Sequence, residues 1–130
     1  MADHEQHRET SDIDERGLGR AAAYTIRSGA VQNVLVLEGE LDLAAAPELR
    51  KHLDEFARDP LVIDFARTTF IDSAVLRELL RARAELAERG VRLVLAAVPP
   101  PVRRLMDLTR TSELFEVAPD VEAALKRLSG

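Results

Sequence analysis

Apolar positions along the chain follow two rhythms. Val34-Leu35-Val36-Leu37, Leu61-Val62-Ile63-Asp64-Phe65 and the stretch from Val91 to Val98 are short, nearly continuous apolar runs, as in strands buried on both faces. A weaker strand candidate, Ala22 to Arg27, is set off from the first run by the turn-like Ser28-Gly29-Ala30. Between the runs the spacing becomes helical. From Ala45 to Ala57, Ala46, Leu49, Leu53 and Phe56 share one face, and Pro47 falls in the first turn, where a missing N–H costs little. From Ala74 to Arg89, Val75, Leu79, Ala82 and Leu86 form a stripe widened by Leu76 and Leu80. Arg77, Glu78, Arg81, Glu85 and Glu88 make its wet face, and Gly90 is placed to cap its C-terminus. Pro99-Pro100-Pro101 leads into a helix from Val102 to Leu108 that buries Val102, Leu105 and Met106. Leu114-Phe115-Glu116-Val117 reads as a short edge strand, and Asp120 as the cap of a last helix with Val121, Leu125 and Leu128 inward.

Strands alternating with helices predict an α/β fold: a mostly parallel central sheet of about five strands with about four helices. Residues 1–20 are polar and charged apart from Ile13 and Leu18, and read as a flexible arm ahead of a domain spanning 21–130. In open parallel sheets, ligand sites lie in loops at the carboxyl ends of the strands. Two loops qualify, Glu40 to Ala44 and Thr68 to Ala74, with Thr68 to Asp72 read as a short connection.

Composition narrows the chemistry. The 130 residues suit one domain, and 46% hydrophobic residues suffice for one modest core. No apolar run approaches the roughly 18 residues of a membrane span. The polar start lacks a secretory h-region, so a cytoplasmic location is expected. There is no cysteine, which removes disulfides and thiolate chemistry. The histidines are His4 and His7 in the polar arm and His52 in a helix with charged neighbours, poor material for a catalytic triad or a metal site. A net charge of -5, with acids and bases interspersed, argues against nucleic acid, and one Tyr without Trp argues against a base-stacking platform.

The second loop holds Asp72-Ser73-Ala74-Val75-Leu76 where a helix begins. Ser73 reads first as a helix cap, the reading local preference favours, and, compatibly with that, as a phosphorylation site whose phosphate would meet free N–H groups and the positive end of the helix dipole. Asp72 is an alternative cap, and Asp42 in the first loop is placed to cap the first helix. If the loops share one sheet edge, Glu40, Asp42 and Asp72 form an acidic rim around Ser73. Such a rim permits a weak magnesium site or a carboxylate pair, but no glycine-rich loop with a lysine follows any strand. No cofactor is expected.

Several segments in order carry a family resemblance. Gly39-Glu40-Leu41-Asp42 follows a buried strand and precedes an Ala-rich helix with Pro47. Val62-Ile63-Asp64-Phe65 leads into Phe70-Ile71-Asp72-Ser73. Gly90-Val91-Arg92-Leu93-Val94-Leu95, the helix around Val102 to Thr109, and Leu114-Phe115 complete the set. From Ala22 to Leu128 this resembles the STAS domain of bacterial anti-sigma factor antagonists. The resemblance implies a protein-binding switch with no catalytic site of its own. Its partners would be an anti-sigma factor with serine kinase activity and a serine phosphatase. It maps the family's phosphorylated serine onto Ser73 and an interface acid onto Asp42, with Glu40, Asp72, Ala74 and Val75 as neighbouring contacts. The chain departs from the family at Ala74-Val75, where the family has a small or hydroxylated residue and then glycine. Val75 removes backbone freedom and adds a β-branched side chain beside the expected contact surface. Ala74 leaves Ser73 the one hydroxyl in its run, with Thr68 and Thr69 the nearest alternatives. Three readings stand at this point: a phospho-switched antagonist, an unswitched STAS scaffold of a signalling or lipid-transport complex, and a small hydrolase or nucleotide-binding enzyme.

Overall fold

The computed structural model describes residues 5–7, 20–28, 30–56 and 58–129. The strands are β1 (Glu5–His7), β2 (Arg20–Ser28), β3 (Ala30–Leu41), β4 (Leu61–Ile71), β5 (Leu93–Ala96) and β6 (Glu116–Ala118). The helices are α1 (Ala46–Phe56), α2 (Ser73–Glu88), α3 (Pro100–Leu108) and α4 (Val121–Ser129). One sheet runs in the order β1-β2-β3-β4-β5-β6; β1, β2 and β3 pair antiparallel, and β3 through β6 pair parallel. The α/β architecture and its four helices are as expected, with six strands where about five were anticipated. The arm expected over residues 1–20 falls largely outside the described residues, within which Glu5–His7 is placed against β2.

Alternation along the strands sends adjacent residues to opposite faces. Leu35, Leu37, Leu61, Ile63, Phe65, Leu93 and Leu95 join one cluster with Leu49 and Leu53 of α1, Val75, Leu79 and Leu86 of α2, and Val102 and Met106 of α3. Val34, Val62, Val94, Ala96 and Ala118 face the other way and pack with Ala124 of α4 and its half-buried Val121, Leu125 and Leu128. Local chemistry sets the helix ends. Asp120 Oδ1 accepts from the Ala123 N–H at 2.8 Å and starts α4. Gly90, at φ +72°, ends α2, with the Val91 N–H reaching back to the Leu86 carbonyl at 2.9 Å. Pro99 precedes α3, so that helix takes in Pro100 and Pro101 and begins two residues before Val102.

Two strands differ from expectation. β5 is only Leu93–Ala96, shorter than the apolar run that announced it. β4 runs on through Thr68, Thr69 and Phe70, which the sequence suggested as a connection, and β3 likewise takes in Glu40 and Leu41. The β3–β4 register slips between Val36 and Glu38 and again between Gly39 and Glu40, each time adding a residue to β4. Gly39 supplies the φ of +84° needed at the second shift, and the buried Thr68 hydroxyl donates to the Leu37 carbonyl at 2.8 Å. Because β5 pairs only with Leu61 to Asp64 and β2 leaves β3 at Glu38, Gly39 to Leu41 continue with Thr68 to Ile71 as a two-stranded ribbon.

Candidate functional site

The ribbon's tip assembles the site. Glu40 pairs with Phe70 and Leu41 with Ile71. One further bond, from the Asp72 N–H to the Leu41 carbonyl at 3.1 Å, carries the ladder past the last paired residues. Asp42 and Asp72 therefore follow the ends of adjacent parallel strands, and both loops share one sheet edge as expected. Each aspartate has extended backbone and turns the chain into helix. Asp42 Oδ1 accepts from the Ala44 N–H at 3.0 Å and opens a single 3₁₀ turn, Leu43–Ala45, that runs into α1. Asp72 Oδ1 accepts from the Val75 N–H at 3.0 Å and opens α2. The cap of α2 is thus Asp72. Ser73 is the first helical residue, correcting its reading as a cap, because the bond to Leu41 holds Asp72 extended.

Ser73 is exposed, and its hydroxyl has no hydrogen-bond partner among the described residues. Glu40 is also exposed and makes no ion pair among the described residues, while Asp42, Asp72 and Ala74 are half-buried. Val75, expected among the contact residues, has no exposed surface: its side chain is part of the core beneath α2. This is a correction, and its cause is the cap. Fixing Asp72 outside the helix turns the third helical position inward. Of the alternative hydroxyls, Thr68 is buried and committed to Leu37, while Thr69 is exposed. No group of three or more His, Asp or Glu side chains among the described residues is placed to hold a metal ion.

Two contributors escaped sequence reasoning. Leu43 is 69% exposed and Phe70 41% exposed, two of the four large hydrophobics so placed among the described residues, and both sit at the ribbon tip. Phe70 was detectable in principle, since an inward Ile71 turns its neighbour out. Leu43 stands three residues before the inward Ala46 and carried no such signal.

The tip thus displays a free serine hydroxyl at a helix start, acids on two neighbouring strand ends and two uncovered apolar side chains. The STAS domain model matches residues 23–124, most of the chain. The chain belongs to the STAS domain family. That family consists of regulatory domains rather than enzymes. Among STAS relatives, the anti-sigma F factor antagonist of Paenibacillus polymyxa is 29% identical over 90 residues, covering 66% of this chain and 74% of the relative. The crystal structure of an anti-sigma factor antagonist from Mycobacterium paratuberculosis superposes with a TM-score of 0.69 at 24% identity, covering 94% of each chain. The Bacillus cell fate determinant SpoIIAA in its phosphorylated form gives a TM-score of 0.62 at 23% identity, covering 82% of this chain and 98% of that one. No helix among the described residues is long and apolar enough to cross a membrane.

Proposed function

We propose that this STAS domain is an anti-sigma factor antagonist whose binding is switched off by phosphorylation of Ser73. Unmodified, it docks through the ribbon tip onto an anti-sigma factor that is also a serine kinase, and the sigma factor is released. The kinase then transfers phosphate from its own ATP. The Ser73 Oγ–H attacks the γ-phosphorus, a new O–P bond forms, the bond to the β-phosphate oxygen breaks, ADP leaves, and the hydroxyl proton passes to a base or to water. A serine phosphatase restores the binding form.

The observation that carries this reading is Ser73 itself. It is an exposed, unbonded hydroxyl at the first position of α2, directly after the capping Asp72 and on the sheet edge that also carries Asp42, Leu43 and Phe70. Such a surface accepts a neutral partner face and rejects it once about 1.5–2 negative charges are added at its centre. The phosphate needs no refolding, since the first N–H groups of a helix lack intrahelical partners. The Paenibacillus relative, an anti-sigma F factor antagonist, and the Bacillus neighbour, solved in a phosphorylated form, support the same reading. The inward turn of Val75 removes the steric objection that its side chain raised at the contact surface.

The test is peptide mapping by mass spectrometry of the protein from its own cells, under growth and under stress, with phosphatases inhibited. Phosphate on Ser73 that changes between the two conditions is expected. In parallel, Ser73→Ala should bind the anti-sigma kinase constitutively and Ser73→Glu at least tenfold more weakly. Equal binding by both variants would refute the switch and leave an unswitched scaffold.

A further inference from the structure

Resting on the reading of Ser73 as the phosphate acceptor, we propose that Arg77 receives the phosphate, pairing with it across one turn of α2. The two residues stand at i and i+4 of one continuous helix, with about 6 Å of axial rise between them, and both are exposed. An anionic group N-terminal to a cation at this spacing is the favourable order of such a pair.

Arg77 is the guanidinium that α2 leaves uncommitted at this end. Arg81 is held by Glu78 at 3.0 Å, by Glu85 at 2.7 Å and by Asp54 of α1 at 3.4 Å. Arg83 donates to the Leu114 carbonyl. Arg77 has no ion pair or hydrogen bond among the described residues. The strand ends beside Ser73 carry Glu40, Asp42 and Asp72, all acidic, so a dianion there is repelled on the strand side and finds its cation on the helical side. The Asp54–Arg81 contact sets α1 beside α2, and the same offset of 27 residues brings Arg50 of α1 level with Arg77. Arg50 is therefore the competing cation, but it lies on a separate helix, whereas Arg77 is held at fixed spacing. The pair draws the phosphate back along α2, away from Asp42 and Asp72, and keeps it dianionic.

The experiment needs no kinase. Phosphoserine is installed at position 73 by an orthogonal phosphoseryl-tRNA system, and the phosphate is titrated by phosphorus NMR in low salt. The second phosphate pKa is expected to be about 0.3 units lower with Arg77 present than in Arg77→Gln. Arg77→Lys should recover most of that shift, Arg50→Gln should leave it unchanged, and 0.5 M salt should shrink it. Equal titration of the parent and Arg77→Gln would overturn the proposal, as would a shift lost only in Arg50→Gln. Because the phosphate is installed by synthesis, an absence of Ser73 phosphorylation in cells would refute the switch while leaving this result standing. An unshifted titration would refute the pair alone.

Discussion

His52 shows how a single residue can carry a property its type does not announce. It lies on α1 among Leu49 and Leu53, buried, with its ring stacked on Phe56 at 6.3 Å between centroids and 17° between planes. Its Nδ1 is buried without a hydrogen-bond partner among the described residues. Burial holds its pKa below the ordinary value of 6.5; Glu55 and Glu48 pull it back up, and Lys51 adds to the lowering. The folded form therefore prefers the neutral ring, while the unfolded chain takes up a proton as pH falls through about 6.5. Stability is full above that pH and is lost below it, down to the lowered folded pKa, with a slope of at most about 1.4 kcal/mol per pH unit from this group. Urea unfolding at pH 7.5 and 5.5 should show the loss in the parent and a smaller one in His52→Phe. Identical pH dependence in both would remove His52 as the cause. Its place was half legible: three residues after Leu49, it shares the inward arc, but charged neighbours on the opposite side disguised it.

Among the elements, α2 depends on its first turn. The Asp72 carboxylate satisfies the Val75 N–H, and the Asp72 carbonyl accepts from the Leu76 N–H at 3.0 Å. Asp72→Ala is expected to cost about 1 kcal/mol in chemical denaturation, and Asp72→Asn only a small part of that. A loss equally large in Asp72→Asn would show that charge, rather than the bond to Val75, holds the helix start. The sequence offered two adjacent capping types, Asp72 and Ser73, and local preference alone does not rank them. The bond to Leu41 on the neighbouring strand decides, and no local pattern contains it. The same limit hid the end of β4. Its buried residues run Phe65, Thr68, Ile71, a spacing of three where a regular strand has two. Each register shift inserts one residue, so the alternation that identifies strands disappears just where the ribbon bends. The interior of β3 and β4, where pairing is regular, was plain from the apolar runs.

Over the whole molecule, side-chain size is sorted between the two sides of the sheet. Leucine, isoleucine and phenylalanine fill the side shared by three helices, while valine and alanine line the side that meets α4. A nine-residue helix buries little by itself, and small side chains let it approach closely enough to close that layer. Arg92 fastens the same region from the edge, reaching Glu116 of β6 at 2.5 Å and the Arg127 carbonyl of α4 at 2.9 Å. The order of elements and their alternation were legible throughout, because parallel strands separated by helices leave few other arrangements. What the alternation could not show was the direction in which the longest strand pair points. The two inserted residues of β4 contribute nothing to the inward row, which keeps the same members with or without them. Removing one from each shift, Ala66 and Thr69, should therefore keep the protein folded within about 1–2 kcal/mol by urea unfolding, while turning the tip so that the proposed anti-sigma partner no longer binds it. The spare pair acts as a gunsight: it sets where the tip points without entering the core that keeps the domain folded.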